Sequence, residues 1–101
     1  MTMTTNLLNT LEQAEALRES YDAEYITARE NAWNIYKTVR ALEEKYEENQ
    51  DEETGKKLDE AYDIYEKANE AETEAYDKYD KIDGAVLKLQ DALNLLNELG
   101  L

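Results

Sequence analysis

Residues 28–46 read ARENAWNIYKTVRALEEKY, and within them Ala28, Ala32, Ile35, Val39, Leu42 and Tyr46 recur at alternating intervals of four and three. An apolar side chain every 3.5 positions keeps one seam of a helix turned toward a partner along a left-handed supercoil. Followed backward, the rhythm runs through Tyr25, Tyr21, Arg18, Ala14 and Leu11 to Leu7, with Arg18 its one polar member. A second rhythm of the same kind runs through Leu58, Ala61, Tyr65, Ala68, Glu72, Ala75, Tyr79, Ile82, Val86, Leu89, Leu93 and Leu96, broken by Glu72 alone. With Leu11 and Leu58 as a positions, the pattern predicts an all-α protein: an antiparallel two-helix coiled-coil hairpin with helices at about 5–49 and 52–99.

The composition agrees with a thin seam. The 101 residues contain no Pro, three Gly (Gly55, Gly84 and Gly100), no Phe and eight Tyr. Tyr suits a half-wet seam, because its ring packs while its hydroxyl reaches water. The length allows one domain, residues 1–101. No run approaches the roughly 18 apolar residues of a membrane span, and the N-terminus lacks a basic stretch followed by an apolar one, so a cytoplasmic protein without a classical signal is expected. The 25 acids and 11 bases leave a net charge of -14. Direct contact with nucleic acid or an anionic membrane would be repulsive, and the expected partner is a protein with a basic surface.

Between the rhythms, Asn49-Gln50-Asp51-Glu52-Glu53-Thr54-Gly55 carries turn residues and no large apolar side chain. It reads as the hairpin tip, with Asp51 capping the second helix and Glu52 and Glu53 favouring its N-terminus. Thr5 or Asn6 would cap the first helix, and Gly100 would end the second. Helices of about 45 residues make a rod of roughly 65 Å. A tip centred near Gln50 sets Leu42 against Leu58, Ala32 against Ala68 and Leu11 against Leu89; a centre near residues 53 and 54 shifts every partner by one heptad. Gly84 falls at f, the outermost phase, so it marks a weak point within one helix rather than a stop, with a break there as the alternative.

Three surfaces lie outside the seam. Residues 43–83 hold 17 acids and 6 bases, against 8 and 5 in the other 60 residues. Within them Asp59, Asp63, Glu66, Glu70, Asp77 and Asp80 occupy b and f positions and form a ribbon of carboxylates resembling the charge row of a nucleic-acid backbone. The plainer reading of this ribbon is a solvated face. On the first helix Ile26, Arg29, Trp33 and Tyr36 form a stripe at b and e, rich in the residue types of binding hot spots. Its alternative is burial against Tyr62 and Tyr76 or in self-association. At the base, Leu8, Leu17, Leu87, Leu95 and Leu99 are off the a and d phases, which points to a homodimer joining two hairpins into a four-helix arrangement.

Catalytic readings fail one by one. With no Cys and no His there is no thiolate, imidazole base or common transition-metal ligand, and Ser20 has nothing to activate it. Asp80-Lys81-Ile82-Asp83-Gly84 suggests a calcium loop, but its first and twelfth positions would be Tyr79 and Gln90. No cofactor, metal or catalytic residue is expected. Arg18 and Glu72 are too far apart to pair in either register, and polar seam residues of this kind usually set register and partner choice.

In size and shape the chain resembles the hundred-residue secreted hairpins of the WXG family, although Trp33 sits mid-helix and the tip reads Glu53-Thr54-Gly55 in place of a Trp-x-Gly turn. In acidity and length it is similar to the small DNA-mimicking inhibitors made by viruses, which would act in the cytoplasm of the host cell. The expected function is non-catalytic protein binding, by an acidic nucleic-acid mimic that blocks a basic DNA- or RNA-binding surface. The alternative is a structural or assembly coiled coil, a scaffold or adaptor, whose acidic face only keeps it in solution.

Overall fold

The computed structural model describes residues 2–101, which form two helices of 47 residues each, α1 (Met3–Asn49) and α2 (Glu52–Glu98). They lie side by side as a hairpin measuring 73 × 18 × 13 Å.

Thr2, rather than Thr5 or Asn6, caps α1. Its hydroxyl accepts the amide of Thr5 at 3.1 Å, and its carbonyl accepts the amide of Asn6 at 3.1 Å. The first helical turn therefore starts ahead of the apolar rhythm, because any of several Thr hydroxyls in this run can satisfy a free N-terminal amide and the outermost one does. Asp51 caps α2 as expected, accepting the Thr54 amide at 2.6 Å. At the far end Gly100 has φ +75° and closes α2: the Gly100 amide reaches the Asn97 carbonyl at 3.1 Å, and the Leu101 amide reaches the Leu96 carbonyl at 2.9 Å. That pair of bonds is the Schellman closure, in which a left-handed residue turns the chain back on its last turn.

The tip is shorter than the run of turn residues suggests. Only Gln50 and Asp51 lie between the helices, and Gln50 makes the reversal by taking a left-handed conformation (φ 45°, ψ 34°). Gly55 belongs to the first turns of α2, where a Cβ would come within 3.2 Å of the Tyr46 ring. Its role is to let that ring approach, not to bend the chain.

Cross-helix contacts select between the two registers. Arg18 meets Asp83, Tyr25 meets Tyr76 and Tyr36 meets Tyr65, so partner numbers add to 101 and the axis of reversal falls between Gln50 and Asp51. The a and d phases hold along both helices. Leu11, Ala32, Val39, Leu58, Ala61, Ala68, Ala75 and Val86 are buried, and the other seam positions are half-buried except Tyr46. Val39, Leu58 and Ala61 form a buried cluster backed by Ile35, Leu42 and Tyr65, toward the tip. At the base Val86 is fully enclosed, but Leu7, Leu89, Leu93 and Leu96 remain half-exposed. Helix α2 runs unbroken through Gly84, where an added Cβ would meet nothing within 4 Å. Among the described residues no helix is long and apolar enough to cross a membrane.

Candidate functional site

An antiparallel pair of heptad helices sets the e and b positions of both on one broad face and the g and c positions of both on the other. Contacts here follow that rule. On the first face Glu43 at e accepts the hydroxyl of Tyr62 at e, 2.9 Å away; on the second Glu24 at g faces Lys78 at g, 3.9 Å away.

The two faces differ in chemistry. The e and b positions carry 11 acids (Glu12, Glu15, Glu19, Asp22, Glu43, Glu47, Glu52, Asp59, Glu66, Asp80, Asp83) against Arg29 and Arg40. The g and c positions carry Glu24, Glu48, Glu53, Glu60 and Glu74 against Lys45, Lys57, Lys67, Lys78, Lys81 and Lys88. Every aromatic side chain outside the seam, Trp33, Tyr36, Tyr62 and Tyr76, is at e or b. One broad face is thus acidic and aromatic, and the other is lysine-bearing, near neutral and free of aromatics.

The aromatic rings join across the seam. Trp33 stacks on Tyr36 with centroids 5.4 Å apart and planes at 19°; Tyr36 leans on Tyr65 at 5.8 Å; Tyr25 meets Tyr76 edge-on at 5.4 Å. Arg29 lies over Tyr25 and Lys37 over Trp33, each 5.5 Å from the ring centroid. Trp33 stays 56% exposed, so the Ile26-Arg29-Trp33-Tyr36 stripe is a surface with its own internal packing rather than a buried layer. Tyr62 holds its proton more tightly than a free phenol, first because its hydroxyl donates to the Glu43 carboxylate and then through partial desolvation.

The carboxylate ribbon is fully displayed. Asp59, Asp63, Glu66, Glu70, Asp77 and Asp80 are all exposed along the outer flank of α2, continuous with the acidic face. Among the described residues no three acidic side chains converge as a metal site would require.

The basal leucines do not share one surface. Leu8 and Leu87 are at e and b on the acidic face, while Leu17, Leu95 and Leu99 are at g and c on the lysine face. All five are exposed, between 41% and 63%. Arg18 leaves the seam to pair with Asp83 at 3.2 Å on the acidic side, which accounts for a charge at an a position.

Three shallow depressions meet at Asn69, two on the acidic face and the third running from it over the outer flank of α2. One is lined by Arg29, Trp33, Tyr36, Tyr65 and Glu72, a second by Tyr25, Glu72, Thr73 and Tyr76, and a third by Tyr62, Glu66, Glu70 and Glu74. Asn69 carries no chemical signal of its own. Its place does, since it stands at e, one heptad from both Tyr62 and Tyr76, where the tyrosine series drops to a small side chain. Comparison with protein-family models, curated proteins and solved structures finds no match to the chain.

Proposed function

We propose that the hairpin is a non-catalytic protein-binding module that lays its acidic, aromatic face against a basic surface of a partner protein. The observation that carries this reading is the segregation of 11 acids and all four non-seam aromatics onto one of two geometrically equivalent faces. Charges needed only for solubility have no reason to prefer one face or to accompany exposed rings. Aromatic anchors ringed by charge are what a steered interface uses: carboxylates attract the partner from a distance, and rings supply contact area once water is expelled.

Blocking of a nucleic-acid-binding groove is one form of this module. The ribbon from Asp59 to Asp80 sets carboxylates about 6 Å apart on average along a helix rising 1.5 Å per residue. A nucleic-acid strand spaces its charges about 3.4 Å apart along the duplex axis. The ribbon therefore copies the sign and linearity of a strand at about half its charge density.

The test is retention of partners by the immobilised hairpin as salt rises. Partners should elute steeply with ionic strength, and a variant with Asp63→Asn, Glu66→Gln and Glu70→Gln should retain less. Undiminished retention of a basic partner by that variant overturns the reading. A second reading is favoured by Leu17, Leu95 and Leu99 on the lysine face: self-assembly, in which two hairpins join there into a four-helix homodimer.

A further inference from the structure

We infer that the notch at Asn69 is a receptor for a single arginine side chain presented by the partner, its guanidinium lying on tyrosine faces with Glu72 accepting its N–H groups. This rests on the proposed basic-partner reading and specifies where, and by which chemistry, recognition occurs.

Geometry provides the space. Tyr62 and Tyr76 flank Asn69 along α2, Tyr36 and Tyr65 line the depressions on the seam side, and the neighbouring seam positions Ala32 and Ala68 carry only small, buried side chains. Around Asn69 the depressions are open and bounded by rings, so a flat group can enter and stack.

Charge selects the ligand. Glu66, Glu70, Glu72 and Glu74 line the depressions against the single base Arg29. Glu72 is the one acid at a seam position within either helix; it is half-buried and makes no ion pair among the described residues. A carboxylate held in the seam without a cation, bordering aromatic faces, offers what a guanidinium uses and an ammonium uses less well: a planar acceptor pair beside a surface to stack on. The protein already stacks this group at the edge of the same groove, where Arg29 covers Tyr25. Arg29 is committed to that ring and Tyr36 packs on Trp33 and Tyr65, leaving Tyr62 and Tyr76 as the exposed rings beside the notch for an incoming cation.

Trp33 borders the notch and is the chain's only Trp, so its fluorescence reports occupancy directly. The experiment titrates the full chain with an arginine homopeptide and a lysine homopeptide of equal length, at low salt. The wild type should bind the arginine peptide about tenfold more tightly, the effect of one stacked, doubly hydrogen-bonded guanidinium. Asn69→Tyr fills the notch by completing the tyrosine series and leaves every charge in place; it should abolish the preference while lysine-peptide binding persists. Glu72→Gln should do the same without adding bulk, and helical circular dichroism verifies that both variants fold. Neutralising Asp59, Asp77 and Asp80 outside the notch should weaken both peptides alike and preserve the preference. Equal binding of the two peptides by the wild type, or an arginine preference that survives Asn69→Tyr, overturns the notch and leaves the basic-partner reading standing. Failure of both peptides to bind at low salt overturns both.

Discussion

Gly84 and Gly55 are both helical glycines, but they face different surroundings. At Gly84 a methyl group would project into open space, and α2 continues on either side. Alanine is more favourable than glycine inside a helix by about 1 kcal/mol, so Gly84→Ala should raise the unfolding free energy by about that amount in urea titration. No gain would mean that the helix needs the glycine. Gly55→Ala should gain less, because its Cβ would press to 3.2 Å on the Tyr46 ring and the ring must yield. The first outcome is legible in the sequence, since phase f announces an outward position. The second is not: Tyr46 lies on the other helix, and only the register brings it to Gly55. Gln50 is similar, since nothing in its chemistry marks it as the one non-glycine residue with positive φ among those described. It takes that conformation because a two-residue reversal requires one left-handed residue after Asn49.

For the helices as elements, heptad phase was the readable quantity and register the unreadable one. Leu11, Val39, Leu58 and Val86 are buried where the rhythm puts them, because burial of a seam depends only on spacing along one chain. Which residue meets which depends on the length of the reversal. Arg18 shows the consequence: a shift of one heptad would set Gln90 beside it in place of Asp83, and the seam charge would lose its counter-ion. The notch at Asn69 was hidden for the same reason, since its walls come from both helices. Element ends give a pH prediction. The Asp51 carboxylate is held below its usual range, chiefly by the Thr54 amide and then by the Thr54 hydroxyl. A depressed folded-state pKa stabilises above the unfolded value of 3.8 and loses that contribution as pH falls through the folded value. Asp51→Asn keeps an N-cap acceptor without a titrating charge. The wild type should therefore melt above Asp51→Asn at neutral pH, with the gap closing below about pH 4. A gap unchanged through that window would show that the charge at the cap is immaterial.

As a whole molecule the hairpin is under-covered. Its radius of gyration is 22.1 Å, where a compact chain of this length has about 13 Å. It exposes 7460 Å², where a compact monomer of the same mass exposes roughly 5,900 Å². The excess is about twice the roughly 800 Å² that one partner contributes to a standard protein interface. Two broad faces are available to cover it, and charge decides which one a second copy can use. Stacking two acidic faces would bring 11 acids and 2 bases against an identical set, a repulsion that salt only screens. The lysine face, with 5 acids and 6 bases, has no such barrier, and it carries Leu17, Leu95 and Leu99 with Ala85 and Ala92 at neighbouring g positions. Self-association should therefore use the lysine face and leave the aromatic notch open to a foreign partner. Sedimentation at tens of micromolar should show a dimer that persists as salt is raised. Changing Leu17, Leu95 and Leu99 to Ser should yield a monomer that still binds basic peptides, while Leu87→Ser on the acidic face should leave the dimer intact. A wild-type monomer at that concentration, or a dimer abolished by Leu87→Ser and indifferent to the other three changes, would remove the lysine face as the site of assembly. In the second case the dimer would occupy the acidic face itself, and peptide binding would compete with it in the same titration.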